Sequence, residues 1–126
     1  MPARVIVVLD EPGFATTAAA EINAAGYDAV ALPDSMAGVE ALKDAHRIEL
    51  LITCPDFAEG KPNGISLALM ARARRPGLKV LFIGDPGMER FTAGVGTLMV
   101  PPATTQELVE KARDMLEASA LPSDRC

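Results

Sequence analysis

The chain has 126 residues, a length typical of one domain with a single hydrophobic core. Its 17 acidic and 12 basic side chains give a formal net charge of −5, which argues against nonspecific binding to nucleic acid. No apolar run reaches the length of a membrane span and the N-terminus lacks a signal-peptide pattern, so we expect a cytoplasmic protein without membrane contact.

Five short, continuous apolar runs alternate with longer amphipathic stretches along the chain. Continuous runs are typical of parallel strands that are buried on both faces. The predicted strands are Val5–Leu9, Asp28–Leu32, Glu49–Cys54, Lys79–Gly84 and Thr97–Val100. The predicted helices are 13–25, 35–46, 64–74 and 104–118, with a weaker and shorter one at 87–93. This alternation predicts an α/β fold with a doubly wound, five-stranded parallel sheet.

Residues at the helix ends support these bounds. Gly26 follows the first helix, where the left-handed backbone conformation is accessible to glycine. Thr104 and Glu107 have the spacing of a capping box at the start of the last helix. Arg72 and Arg74 place positive charge at the end of the third predicted helix, where it is favourable. We therefore expect one domain over residues 1–118, followed by a disordered tail over 119–126.

The residues that follow the strands are the first candidates for a functional site. In an open parallel sheet, ligands bind at the carboxyl ends of the strands. In this chain those ends read Leu9-Asp10-Glu11, Cys54-Pro55-Asp56, Gly84-Asp85 and Pro101-Pro102.

Several motifs of the chain, in this order and spacing, resemble the receiver domains of bacterial two-component response regulators. They are Val8–Pro12, Gly38–Leu42, Arg75–Ile83 and the run from Pro101 to Thr104 that leads into Gln106–Leu108. The resemblance covers nearly the whole chain. It implies a flavodoxin-like sheet of order 2-1-3-4-5 and a stand-alone module of phosphorelay signalling that is not an enzyme.

The same resemblance implies a phosphorylation site that this chain lacks in large part. Receiver domains use acids that hold a divalent cation, an acceptor aspartate after the third strand, a hydroxyl after the fourth and a lysine after the fifth. The acceptor position is Cys54, the hydroxyl position is Gly84 and the lysine position is Pro101. Leu9 replaces the first acid, and Asp10 takes the place of the second. The resemblance therefore implies a degenerate receiver domain that acts without phosphorylation.

An alternative alignment makes Asp56 the acceptor. Asp56 lies eight residues before Gly64, a separation that also fits a receiver loop, if the third strand is two residues longer. Proline cannot donate a hydrogen bond within a sheet, so Pro55 is poorly placed in a central strand and favours Cys54 as the residue at the strand end.

A divalent cation such as Mg²⁺ is the one cofactor that the sequence suggests. Asp10, Glu11 and Asp56 are the candidate ligands. Asp10 and Glu11 have a simpler interpretation, since they also suit the end of a strand and a turn before Pro12. With one histidine in the chain, a zinc site is not expected.

Cys54 has two interpretations besides a lost acceptor. An unpaired cysteine is usually a small, buried apolar residue, and with only Cys54 and Cys126 there is no disulfide framework. A redox sensor needs a thiol of lowered pKa, whereas nearby carboxylates would raise the pKa of Cys54. A small α/β enzyme is a further alternative, but the chain has neither a glycine-rich phosphate loop nor a Gly-x-Ser-x-Gly elbow.

The region between Gly84 and Pro101 allows only a shortened fourth helix, so the surface that receivers commonly use must differ. The implied partners are a histidine kinase, a phosphotransfer protein or another signalling protein, and a homodimer is left open. One hypothesis places the contact on the loops at the strand carboxyl ends and on the alanine-rich first helix, which presents little bulk at Ala15, Ala18, Ala19, Ala20, Ala24 and Ala25. The alternative is that these alanines only pack on the sheet.

Overall fold

The computed structural model describes residues 4–9, 12–32, 48–54, 64–74, 77–84, 86–92, 94–99 and 104–120. Its sheet has five parallel strands in the spatial order β2-β1-β3-β4-β5, which confirms the predicted fold and strand order. The strands are β1 Arg4–Val8, β2 Asp28–Ala31, β3 Leu50–Thr53, β4 Lys79–Ile83 and β5 Thr97–Met99.

The described helices are α1 Pro12–Ala24, α2 Gly64–Arg74, α3 Glu89–Thr92 and α4 Thr105–Ala120. A 3-10 turn, Pro86–Met88, leads into α3, so the connection from β4 to β5 is as short as the sequence predicts. The helix predicted at 35–46 lies outside the described residues. Helix α4 ends at Ala120, beyond the predicted end at residue 118, and the rest of the predicted tail is not described.

The sheet is a central layer that buries apolar side chains on both faces. One cluster joins it to α1 and α4, and includes Val5, Val7, Leu50, Ile52, Leu81, Ile22, Leu108 and Leu116. The other joins it to α2, and includes Ile6, Val8, Leu51, Val80, Phe82, Leu67 and Ala71. Because successive strand residues point to opposite faces, the central residues of β1, β3 and β4 are apolar on both faces.

Three alanines of α1 belong to the core. Ala15, Ala18 and Ala19 are only 2%, 0% and 5% exposed and pack in the cluster between the sheet, α1 and α4. The hypothesis that a partner contacts Ala15, Ala18 and Ala19 is therefore wrong, and these three alanines pack on the sheet as the alternative predicts. Their small side chains let α1 approach its neighbours closely, which leaves no space for an arginine. Ala20 and Ala24 are exposed, so a contact through them stays a prediction.

Helix α1 ends in the turn that its glycine predicts. Gly26 has a φ of 105°, in the left-handed region. The amide of Gly26 donates to the carbonyl oxygen of Asn23 at 3.0 Å, and the amide of Tyr27 donates to that of Ile22 at 3.3 Å. These two bonds form a Schellman motif, which satisfies carbonyl groups of the last turn.

The capping box at the start of α4 is also confirmed. The amide of Glu107 donates to Thr104 Oγ1 at 3.0 Å, and the amide of Thr104 donates to Glu107 Oε1 at 3.1 Å. The apolar stripe of the helix, Leu108, Ala112 and Leu116, is buried against the sheet and α1. The cap thus fixes where the buried stripe begins.

The side chain of Asn23 binds the outer backbone of β2, an edge strand of the sheet. Its Nδ2 donates to the carbonyl oxygen of Ala29 at 2.9 Å, and the amide of Ala29 donates to Asn23 Oδ1 at 2.9 Å. One carboxamide therefore satisfies both backbone groups of Ala29, and it ties the end of α1 to β2.

Replacing Asn23 should loosen this edge. We expect Asn23→Ala to lower the free energy of unfolding by about 1–2 kcal/mol, because two hydrogen bonds are lost. Asn23→Asp should also destabilise, since its carboxylate cannot donate to the Ala29 carbonyl. Thr17→Ala, at an exposed position of the same helix, is the control and should change little. Urea unfolding measures all three, and an unchanged Asn23→Ala protein would contradict the role of the carboxamide.

Candidate functional site

The carboxyl edge of the sheet is described at the end of each strand, and Leu32 follows β2 at its margin. Leu9 follows β1, Cys54 follows β3, Gly84 follows β4 and Met99 ends β5. Pairings of Val8 with Thr53, Thr53 with Phe82 and Ile83 with Met99 set the strand ends side by side. The other predicted site residues, Asp10, Glu11, Asp56 and Pro101, lie outside the described residues, so their cation-binding, acceptor and switch roles stay predictions.

Cys54 lies directly after the last paired residue of β3. The strand ends at Thr53, which pairs with Val8 on one side and Phe82 on the other. The sequence predicted a strand that ends with Cys54, one residue later. Cys54 is thus the first residue beyond the sheet.

Cys54 contacts the apolar cluster on the α1 and α4 side of the sheet. It is half-buried and packs against the same cluster as Leu9, Ile83 and Met99. Leu9 is 4% exposed, so the side chain that follows β1 is a core residue. These four residues form an apolar row, which offers neither a charge nor an oxygen ligand to an anion or a cation.

Thr53 points to the opposite face, toward α2. It is fully buried, and within the described part of the chain its Oγ1 has no hydrogen-bond partner. This oxygen lies 3.0 Å from the place that a Cβ on Gly64 would take. A buried hydroxyl without a partner lowers the stability of the fold, because it has lost its hydrogen bonds to water.

The first residue of α2 touches the backbone of Cys54. A Cβ on Gly64 would overlap the carbonyl oxygen of Cys54 and would lie 2.6 Å from its carbonyl carbon. Gly64 has no positive φ, so glycine is required at this position by space alone. The absence of a side chain lets α2 begin directly against the end of β3.

Gly64→Ala should therefore be strongly destabilising. We expect a loss of about 3 kcal/mol in the free energy of unfolding, because the clash is with backbone atoms that cannot rotate away. Gly13→Ala is the matched control, since nothing lies within 4 Å of a Cβ at Gly13 of α1. It should be neutral or add about 0.5 kcal/mol. Equal stability of the two variants in urea would contradict the close contact.

We expect the hydroxyl of Thr53 to destabilise the fold. We expect Thr53→Val to raise the free energy of unfolding by about 1 kcal/mol, because it removes an unsatisfied polar group without leaving a cavity. Thr92, also fully buried, is the matched control, since its Oγ1 donates to the carbonyl oxygen of Glu89 at 3.3 Å. Thr92→Val should lose about 1 kcal/mol. Loss of stability in both variants would mean that Thr53 has a partner.

Gly84 contributes backbone to this edge. It is half-buried, and its amide donates to the carbonyl oxygen of Met99 at 3.0 Å. That bond joins the residue after β4 to the end of β5. Gly84 thus has a structural role, and it brings no hydroxyl to the edge.

Arg72 ties α2 to the connection between β4 and β5. Its Nη1 donates to the carbonyl oxygen of Val95 at 3.0 Å. The amides of Val95 and Gly96 both donate to the carbonyl oxygen of Thr92 at 2.9 Å, and Gly96 packs against Val80. Sequence reasoning missed this anchor, because a basic residue at a helix C-terminus already has a local explanation.

Within the ranges given above, no group of three or more His, Cys, Asp or Glu side chains is placed to hold a metal ion. In the same ranges, no helix combines the length and the apolar character needed to cross a membrane.

Solved structures with the same fold are response-regulator receiver domains. A receiver protein from Sinorhizobium medicae has a TM-score of 0.80 at 22% identity, over 94% of this chain and 97% of its own. A CheY-like receiver domain from Methanospirillum hungatei has a TM-score of 0.82 at 17% identity, over 95% and 98%. The response regulator TrrA from Thermotoga maritima, in complex with Mg²⁺-BeF, has a TM-score of 0.74 at 18% identity, over 90% and 98%.

Identities of this size establish the fold alone. No family model and no curated protein matches the chain. The chain has the fold of a receiver domain, as its motifs predict.

Proposed function

We propose that this chain is a cytoplasmic, receiver-like module of two-component signalling that works by contact with another protein and is not phosphorylated. The observation that carries the proposal is the position of Cys54. It follows β3 directly, and its thiol packs in an apolar row with Leu9 and Met99. The resemblance to receiver domains assigns this position to the acceptor aspartate.

Phosphoryl transfer needs groups that these positions do not supply. The transferred group carries dense negative charge, so a bound cation and fixed positive groups must stabilise it. A carboxylate must also accept it, and Cys54 is a thiol. At the same edge, Leu9 is buried in the core and Gly84 has no side chain. A module of this kind can bind a partner protein without exchanging a phosphoryl group.

The fold supports a histidine kinase, a phosphotransfer protein or another signalling protein as the partner. The resemblance to receiver domains implies partners of these kinds. A module without an acceptor would hold one conformation and would compete with phosphorylated receivers for the same partner. Its role is therefore binding, with no catalysis of its own.

A second candidate function is a phosphorylated receiver that uses Asp56. The structure of the Thermotoga maritima protein with Mg²⁺-BeF favours it, since that fold accommodates the cation. In this chain Asp10, Glu11 and Asp56 would then hold Mg²⁺. Cys54 would be a structural residue, and the thiol would have no redox role.

Intact mass after incubation with acetyl phosphate and Mg²⁺ separates the two candidates. We expect the mass of the wild-type protein to stay unchanged, and the same for Asp56→Asn. The Thermotoga maritima response regulator, treated in parallel, is the positive control. Circular dichroism must report folded protein in every sample.

A phosphoryl adduct on the wild type that disappears in Asp56→Asn would contradict the proposal and establish the second candidate. An adduct that disappears only in Cys54→Ala would place a phosphoryl group on the thiol, and it would also contradict the proposal. Absence of any adduct supports a binding module.

A further inference from the structure

Helix α2 is apolar on two faces. Its inward face, Gly64, Leu67, Ala68 and Ala71, is buried in the cluster beneath the sheet. On the outward face, Leu69 is 54% and Met70 is 44% exposed. Val30, in β2, is the one other large apolar side chain that is exposed in the described ranges. Two large apolar side chains exposed next to each other on one helix mark a candidate contact surface.

Four of the five exposed residues of α2 form a continuous stripe. Ser66, Leu69, Met70 and Ala73 are all exposed and follow the spacing i, i+3, i+4 and i+7. Residues at this spacing lie along one face of a helix. We call this surface the α2 outer stripe. Its spacing is that of a surface on which another helix packs.

The short connection between β4 and β5 explains why part of this stripe is open. Leu69 lies one turn after Ile65 and one turn before Arg72, and Arg72 binds Val95 of that connection. Leu69 therefore stands on the flank of α2 that faces the connection. Among its described residues, the helical ones are a single 3-10 turn and the four residues of α3. Leu69 remains more than half exposed beside them.

The flank is held in place rather than loose. The guanidinium of Arg72 fixes the Val95 carbonyl, and Gly96 sits against the backbone of Val80. A surface that is fixed before binding loses little conformational freedom when a partner docks. The stripe is thus ready to receive a helix as it stands.

The positive charge at the end of α2 indicates which kind of partner fits the stripe. Helix α2 carries Arg72 and Arg74 in its last turn and no acidic residue, in a chain of net charge −5. A second copy of α2 would offer these arginines no carboxylate. Leu69 and Met70 also present far less than the roughly 800 Å² per partner that a stable dimer buries. An acidic amphipathic helix would meet both the apolar stripe and the basic end.

We propose that the α2 outer stripe docks an acidic amphipathic helix of a partner protein. This rests on the proposed function, because it names the surface through which the binding module meets its partner. The apolar face of that helix covers Leu69 and Met70, and its carboxylates lie near Arg74. The docked helix occupies the flank that the short α3 leaves uncovered.

A synthetic peptide series tests this with ¹⁵N-labelled protein. The probe is a four-turn peptide with leucines at i, i+3, i+4 and i+7 and glutamates at its other positions. A second peptide replaces every glutamate by lysine, and a third scrambles the first. We expect only the acidic amphipathic peptide to shift the amide signals of α2, with its largest effects from residue 66 to residue 74.

Variants locate the binding to the stripe. Leu69→Ser combined with Met70→Ser should weaken binding about tenfold or more, because two central apolar contacts are lost. Val30→Ser, at the exposed apolar residue of β2, is the matched control and should leave binding unchanged. Arg74→Glu should weaken binding of the acidic peptide and strengthen that of the lysine peptide. A purely structural role of Arg74 would not produce this reversal.

Four results would overturn the inference. The first is no peptide binding, and the second is binding that the double variant leaves intact. The third is self-association in sedimentation velocity that the double variant abolishes. The fourth is tight binding to phosphatidylglycerol–phosphatidylcholine vesicles without peptide binding. The third would make the stripe a dimer contact, and the fourth a lipid contact. Failure of the proposed function shows separately, as a phosphoryl adduct in intact mass.

Discussion

The contact between Gly64 and the backbone of Cys54 is the constraint on which the site depends. It fixes the start of α2 against the end of β3, with no room for a single methyl group. The hydroxyl of Thr53 is sealed beneath the helix as a result. With its start fixed, α2 turns Leu67 inward and Leu69 outward. The sealed hydroxyl of Thr53 and the exposed helix face are therefore two results of one close approach.

Local patterns predicted much of this fold, because they depend on residues close in sequence. The apolar runs of β1, β3 and β4 follow directly from burial on both faces of a parallel sheet. Gly26 and Thr104 each satisfy backbone groups within a few residues, so their caps were readable from the sequence. Cys54 was correctly expected at the end of the third strand, although the strand itself ends one residue earlier.

Contacts between distant segments could not be read in this way. The bond from Arg72 to Val95 joins residues on different elements, and arginine at a helix end has a sufficient local explanation. Alanines on α1 are compatible with an exposed surface or with a closely packed core. Ala18 belongs to the core because α4 packs beside α1. Likewise, the pattern of α2 gives two apolar faces without saying which one meets the sheet. Its exposed face was therefore not foreseen.

The carboxamide of Asn23 also limits how other chains can associate with this one. An edge strand normally invites an extended segment to join the sheet, since its outer amides and carbonyls seek partners. At Ala29 both groups are already taken by a side chain from the same domain. An incoming strand would have to displace that carboxamide before it could pair there. Because this point of β2 is closed to strand addition, the strand discourages both aggregation and β-augmentation there.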